Sequence, residues 1–150
     1  MPDLTAGTTV KGLDTPPTIT DTEATSGTTT STTFVETLTG GTTCAVVFTA
    51  PTSGRVLVHS NVRISNSGAN EGFAGFVVRT GATPGSGTVV LAAADALAIL
   101  HNGTTAQRAG ISELVSGLTA GDSYNVQQAF RVGAGTGTFR DKTLTVVPTT

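Results

Sequence analysis

The side chains that most often perform catalysis or bind metals are few in this chain. Its 150 residues include one cysteine, Cys44, and two histidines, His59 and His101. Neither histidine has a second histidine or a cysteine near it at the spacing of a metal site, and a single cysteine excludes an intrachain disulfide. His59 falls in the middle of an alternating segment, which favours a polar strand residue or a hydrogen-bond partner at an interface over the alternative of a catalytic or pH-sensing role. We predict no metal site and no cofactor.

Motifs for nucleophilic or phosphate chemistry are also missing from the sequence. Cys44 shares its alternation with Val46 and Phe48, which predicts a small buried hydrophobe, since no neighbouring cation would lower the pKa of the thiol. The glycine runs at 81–87 and 133–137 are not followed by the Lys-Ser/Thr and helix that a phosphate loop needs. We predict that the protein is not an enzyme. An enzyme whose site forms at an assembled interface is kept as a third alternative.

The chain has few charged residues, and acidic residues slightly outnumber basic ones. Charged residues make up 12% of the chain, with 8 basic and 10 acidic residues and a formal net charge of -2. A nucleic-acid binder typically has a basic stripe, and attachment to anionic lipid needs a polybasic patch. We therefore predict neither a nucleic-acid nor a membrane partner. No charged-then-apolar leader follows Met1, so we expect a soluble chain that is not exported.

Apolar residues alternate with polar ones from Thr32 onward, which indicates β-strands. The clearest alternation is at 55–64, where one face of the predicted strand is mostly apolar and the other mostly polar. The first face has Val56, Val58, Ser60, Val62 and Ile64, and the second has Arg55, Leu57, His59, Asn61 and Arg63. Further predicted strands are 32–38, 43–48, 72–80, 108–115, 124–132 and 138–147. The segment 89–100 is ambiguous between strand and short helix, and we interpret it as a strand. About eight antiparallel strands separated by turn signals predict an all-β, two-sheet sandwich of jelly-roll type with almost no helix.

The first 31 residues have a different composition. They are rich in threonine, glycine, proline and acids, so alone they cannot bury enough apolar surface to offset the entropy of ordering. We predict an extended arm at 1–31 and a sandwich domain at 32–150. Such an arm becomes ordered when something holds it, and we expect it to lie on a neighbouring subunit. The residues predicted to bind that partner are Val10, Leu13, Pro16, Pro17 and Ile19.

Arginines fall within or beside the predicted strands rather than in loops. One interpretation is that they occupy ordinary solvated strand positions. The other is that one sheet face packs against copies of the chain, with arginine pairing the acids of a neighbour. The candidate oligomer interface consists of Arg55, His59, Arg63, Arg79 and Arg131, with Arg140 close by.

The last third of the chain resembles a known family. Residues 117–126 (GLTAGDSYNV), 135–139 (GTGTF) and a closing strand at 144–146 resemble the closing part of compact sandwich domains in tailed-phage virion proteins. Some of these domains are similar to the trimeric tumour-necrosis-factor/C1q jelly roll. A Thr/Gly-rich arm before a compact β head is similar to capsid decoration, or cement, proteins of such phages.

The resemblance implies a homotrimer that sits on the capsid exterior, with its arm on the major capsid protein, and that assembles in the host cytoplasm. The leading hypothesis is therefore a virion protein that stabilises a phage capsid from outside. The runner-up is a receptor- or carbohydrate-binding head of a tail or fibre protein. One tyrosine, six phenylalanines and no tryptophan offer little aromatic surface for stacking on sugars, which disfavours the runner-up.

Overall fold

The computed structural model describes residues 16–149. Within that range the chain forms ten β-strands and one turn of 3-10 helix. These are β1 (Ile19–Glu23), β2 (Gly27–Thr29), β3 (Ala45–Thr49), β4 (Val56–Asn66), β5 (Glu71–Thr80), β6 (Val89–Leu91), the 3-10 turn (Asp95–Leu97), β7 (Ile99–Asn102), β8 (Gln107–Val115), β9 (Ser123–Val132) and β10 (Gly137–Pro148). No helix among these residues is long and apolar enough to cross a membrane.

The strands form two antiparallel sheets packed face to face. The first sheet has the order β1-β10-β4-β8, and β2 also pairs with β10. The second has the order β3-β9-β5-β6, and β7 also pairs with β5. The chain crosses between the sheets from β2 to β3, from β3 to β4, from β4 to β5, and again before β8, β9 and β10. This strand order is that of a jelly roll, so the predicted fold class is confirmed.

The core lies between the sheets and follows the period of two. In β4 every inward side chain is buried and every outward one is partly exposed. The inward residues of β4 meet those of β9 and β10 in two clusters, one around the stacked rings of Phe48 and Tyr124 and one around the tilted pair Phe130 and Phe139. Alternation therefore positions these strands in the way that the sequence predicts.

Two predicted strands differ in the structure. The segment 89–100 is not one strand but two short ones, β6 and β7, on either side of the 3-10 turn. The segment 32–38 forms no strand: only Val35 pairs, through mutual backbone hydrogen bonds with Phe130. The neighbouring side chain of Glu36 is bound by an arginine of the second sheet, so this segment serves as a cover for that sheet rather than as a full strand of it.

The predicted boundary between arm and sandwich at residue 31 is also corrected, because β1 and β2 both belong to the first sheet. Strand β1 pairs with β10 from Ile19 opposite Val146 to Glu23 opposite Lys142. Without β1, the edge of β10 would present unpaired backbone groups, and pairing satisfies them whatever the side chains are. Val10 and Leu13 lie outside the described residues.

Among the other residues predicted to bind a partner, Ile19 packs against the core cluster around Phe48. It therefore stabilises the sandwich itself. Pro16 and Pro17 come just before β1, where the restricted backbone of proline favours an extended approach to the strand.

Strand β8 forms the opposite edge of the first sheet. It pairs with β4 along its length and has no second neighbour within residues 16–149. Glu113 lies opposite Val58, so it occupies an inward-facing position at this edge, between Ile111 and Val115. An inward-pointing charge on an edge strand disfavours pairing with another sheet.

Candidate functional site

The outer faces of the two sheets differ in what lies over them. We call the outer face of the first sheet the open face. It is formed by Thr20, Thr22, Leu57, His59, Asn61, Arg63, Arg108, Gly110, Ser112, Leu114, Arg140, Thr143, Thr145 and Val147, together with Asp141. We call the outer face of the second sheet the covered face.

Two loops of the chain itself lie on the covered face: the segment 32–38, which contains Glu36, and the segment 81–87 between β5 and β6. The outward residues Asn125 and Gln127 of β9 are buried, with 0% and 5% of their surface exposed. The Asn125 amide nitrogen donates to the carbonyl oxygens of Gly81 and Ser86 at 3.1 and 3.0 Å, and the Gln127 amide donates to the carbonyl of Glu36 at 3.1 Å. Both loops are therefore fixed to the sheet by side-chain amides.

Two arginines complete this cover. Arg79 binds Glu36 through both carboxylate oxygens, one of them at 2.6 Å, and this hydrogen bonding raises the pKa of the guanidinium. Arg131 binds Asp95 through both oxygens, one at 2.6 Å, and its guanidinium carbon lies 3.6 Å from the centre of the Phe73 ring. Arg79 therefore holds the segment with Glu36 against the second sheet, and Arg131 holds the 3-10 turn with Asp95 against it.

The five residues predicted to form one oligomer interface therefore do not share a face. Arg79 and Arg131 lie on the covered face, with 13% and 15% of their side chains exposed, and bind acids of the same chain. That part of the prediction is wrong because the acids that pair them come from the molecule's own loops. Arg55, His59 and Arg63 lie on or beside the first sheet, and an interface there stays a prediction.

The chemical character of the open face changes along its strands, from apolar at one end to positively charged at the other. Leu57 of β4 lies between Leu114 of β8 and Val147 of β10, which makes an apolar row at one end. Leu114 is 55% exposed. Hydroxyl and amide groups fill the middle of the face, where the His59 ring nitrogen Nδ1 lies 2.6 Å from Ser112 Oγ.

At the other end of the open face, three arginines form a row. Arg63 of β4 is directly opposite Arg140 of β10 on one side and Arg108 of β8 on the other. Directly opposed residues on antiparallel strands have Cα atoms about 4.5–5.5 Å apart, so the row spans about 10 Å. We call these three residues the arginine row. Like charges directly opposite one another destabilise a sheet.

Little in the described part of the chain neutralises this row. Asp141 lies in a bulge of β10, with a φ of 49°, and its carboxylate is 3.9 Å from Arg63 Nη1. Arg108 donates to Thr143 Oγ1 at 3.3 Å. Arg140 forms no ion pair and no side-chain hydrogen bond with residues 16–149. The row therefore has one exposed carboxylate beside three guanidinium groups.

The sequence marks Arg63 and Arg140 as arginines within or beside strands, but no sequence feature predicts the row. Arg108 stands at the start of its strand and carried no signal on its own. Only the register between β4, β8 and β10 brings the three residues together, and a bulge in β10 shifts that register between Arg140 and Thr143. No sequence pattern in one strand reports that alignment.

Cys44 and Lys142 are buried in the interior of the sandwich. Cys44 is 1% exposed, and burial, reinforced by the charge of Asp21, raises the pKa of its thiol to about 12. Such a thiol is not a nucleophile near neutral pH. Lys142 is also buried, which lowers the pKa of its ammonium, and it donates to the Thr25 carbonyl at 3.0 Å. In residues 16–149 no group of three or more His, Cys, Asp and Glu residues could hold a metal ion.

Comparison with known proteins supports the fold alone. No protein-family model matches this sequence, and no curated protein matches it. Among solved structures, a chain of the T13 infectious bursal disease virus particle aligns with a TM-score of 0.57 and 13% identity, over 99% of this chain and 35% of that chain. A chain of infectious bursal disease virus strain Gx aligns with a TM-score of 0.52 and 13% identity, over 88% of this chain and 33% of that one. The protein thus spans about a third of the length of these viral chains.

Proposed function

We propose that this protein is a non-catalytic structural component of a virus particle, in which the sandwich decorates the outer surface of the capsid shell. The observation that carries the proposal is the contrast between the two sheet faces. One face is closed by the molecule's own loops, and the other presents a graded apolar, hydroxyl and arginine surface. Its fold is similar to part of a chain from an icosahedral virus particle, which supports the same proposal.

The dimensions of the open face bear on how such a protein attaches. Six residues of β4 separate the apolar row from the arginine row, which is about 20 Å at 3.3 Å per residue, and four strands make the face about 15 Å wide. The resulting area of about 300 Å² is well below the roughly 800 Å² per partner of a stable interface. Stable attachment then needs several heads acting together, as in the homotrimer that we propose, or a further contact from residues 1–15.

The proposal is tested by sedimentation with shells assembled from the major capsid protein of the virus that encodes this chain. The chain is expected to sediment with the shells to a fixed stoichiometry and to raise the temperature at which they open. Absence of saturable association, measured against an unrelated protein of similar mass, would contradict the proposal.

A truncation tests the contribution of the N-terminal segment. Because β1 and β2 pair with β10, the cut must fall before residue 16 if the sandwich is to stay intact. A chain starting at residue 16 is expected to keep the circular dichroism of the full chain and to coat shells more weakly.

The runner-up, a receptor- or carbohydrate-binding head, has less support in the structure. Stacking on sugars needs exposed aromatic rings, and the open face as defined above contains none except the imidazole of His59. Phe48, Phe139 and Tyr124 are buried in the core. Glycan-array binding by a protein that does not bind shells would favour this alternative.

A further inference from the structure

The opposed positive charges of the arginine row destabilise the first sheet, and the fold does not require arginine at these three positions. The row's three positive charges face one another across adjacent strands, and within the described range 16–149 only Arg63 has a carboxylate within 4 Å, at 3.9 Å. In contrast, the two arginines of the covered face are each bound by both oxygens of a carboxylate. We infer that the arginine row binds a cluster of carboxylates on a partner protein, which, if the proposed function holds, is the outer surface of the capsid shell.

The chemistry of the guanidinium group favours a carboxylate as its ligand. A guanidinium presents a planar fork of donors that matches the two oxygens of a carboxylate, and this chain uses that pairing twice on its covered face. The contact of Arg63 with Asp141 involves one nitrogen at 3.9 Å, with 43% and 37% of the two side chains exposed. Most of the donors in the row therefore remain available to an incoming group.

The rest of the open face favours a protein over a polyanion such as nucleic acid. About 20 Å along the strands from the arginine row lies the apolar row of Leu57, Leu114 and Val147. A protein surface can present an apolar patch and an acidic patch at that separation, whereas the charged backbone of a polyanion has no apolar surface to pack against the apolar row. The chain as a whole has a net charge of -2, which adds repulsion against any long polyanion.

A second copy of the same face is a poor occupant. Asp141 is the one carboxylate among the residues that define the open face. Two open faces packed together would therefore set arginines against arginines or against leucines, neither of which satisfies a guanidinium. The observations thus point to a different protein, with acidic side chains spaced about 5 Å apart across the row.

The test compares three full-length proteins: the wild type, the triple variant Arg63→Gln/Arg108→Gln/Arg140→Gln, and the control variant Ala82→Glu/Thr83→Glu/Ser86→Glu. Residues 82, 83 and 86 are exposed and lie in the loop between β5 and β6, on the covered face. The control variant therefore makes the net charge more negative by three, as the triple variant does, without changing the open face. Binding to shells is measured at 50 and 300 mM salt, and thermal unfolding is followed in parallel.

The triple variant is expected to bind shells at least tenfold more weakly than the wild type, with less dependence on salt. Its Tm should be unchanged or higher by about 1–3 °C, because removing opposed like charges relieves the sheet. The control variant Ala82→Glu/Thr83→Glu/Ser86→Glu should bind as the wild type does. Undiminished binding by the triple variant overturns the inference and leaves the proposed function intact.

If the wild type does not bind shells, the proposed function fails but the inference is still tested. The probes are then a fluorescent 12-residue Glu/Thr peptide and an oligonucleotide of equal charge. If the triple variant loses peptide binding and the control variant Ala82→Glu/Thr83→Glu/Ser86→Glu keeps it, the arginine row is supported as a carboxylate site. Peptide binding that is absent, or equal in the wild type and the triple variant, overturns it. Preference for the oligonucleotide by more than tenfold also overturns it, in favour of a polyanion site.

Discussion

The covered face and the open face use the same residue type in opposite ways. On the covered face, Arg79 and Arg131 are mostly buried and bind Glu36 and Asp95 of the same chain. On the open face, Arg63, Arg108 and Arg140 are aligned with each other, and among residues 16–149 only Arg63 has a carboxylate within 4 Å. The difference shows that the role of an arginine in this sandwich depends on whether a loop of the same chain crosses it.

The largest expected difference comes from the same substitution on the two faces. Arg131→Ala removes the ion pair with Asp95 and the stacking on Phe73, and we expect it to lower the free energy of unfolding by about 2–3 kcal/mol. Arg63→Ala removes one exposed, distant ion pair and should change it by less than about 0.5 kcal/mol. Urea denaturation measures both. Equal losses in the two variants would mean that the covering loops are not held as described.

A smaller difference is expected for a change of nearly constant shape. Val77 on the covered face is 7% exposed, whereas Val147 on the open face is only partly buried. Val77→Thr buries a hydroxyl and should cost about 1–2 kcal/mol of unfolding free energy. Val147→Thr leaves its hydroxyl near solvent and should cost almost nothing. Thermal denaturation of the pair checks this, and a greater loss from Val147→Thr would reverse our assignment of the two faces.

The smallest difference concerns the ion pairs themselves. A double-mutant cycle with Arg79→Gln and Glu36→Gln is expected to give a coupling energy of about 1 kcal/mol, because the pair is shielded and bidentate. The same cycle with Arg63→Gln and Asp141→Asn should give less than about 0.3 kcal/mol, falling further in 0.5 M salt. A strong coupling between Arg63 and Asp141 would show that the row is already neutralised, and would remove the reason for an outside partner.

The alternation of apolar and polar residues is sufficient to predict the strands that have one buried face and one partly exposed face. Strand β4 shows this most clearly, since each predicted inward residue from Val56 to Ile64 is buried. Strand β9 is buried on both faces, and its polar outward residues suggested a wetter surface than the structure has. The reason is that side-chain amides such as those of Asn125 and Gln127 are satisfied by loops that no local pattern predicts.

The N-terminal segment was misjudged for a related reason. Its composition predicts an arm when the segment is considered alone, and no apolar alternation marks β1. What orders β1 is the backbone of β10, together with side-chain contacts such as Thr20 Oγ1 to Thr145 Oγ1 at 2.9 Å and the carboxylate of Asp21 accepting from the amide of Ala45 at 2.9 Å. Pairing at a sheet edge depends on the partner strand, which the segment's own sequence does not contain.

The candidate site could be anticipated only in part. Arginines within strands were recognised as unusual, and two of the three members of the row were noted. Their alignment depends on strand register and on the bulge at Asp141. A residue pattern within one strand cannot give either of these.

The free edge of β8 has a consequence for the proposed decoration of a particle, which would bring many copies of the chain close together. On such a particle, neighbouring sandwiches would be at very high local concentration, and an unprotected sheet edge would favour strand pairing between them. The inward carboxylate of Glu113 makes that fusion costly, because any strand added beside β8 would have to bury the charge. We therefore expect crowded copies of the sandwich to remain separate, with their open faces available for the proposed binding.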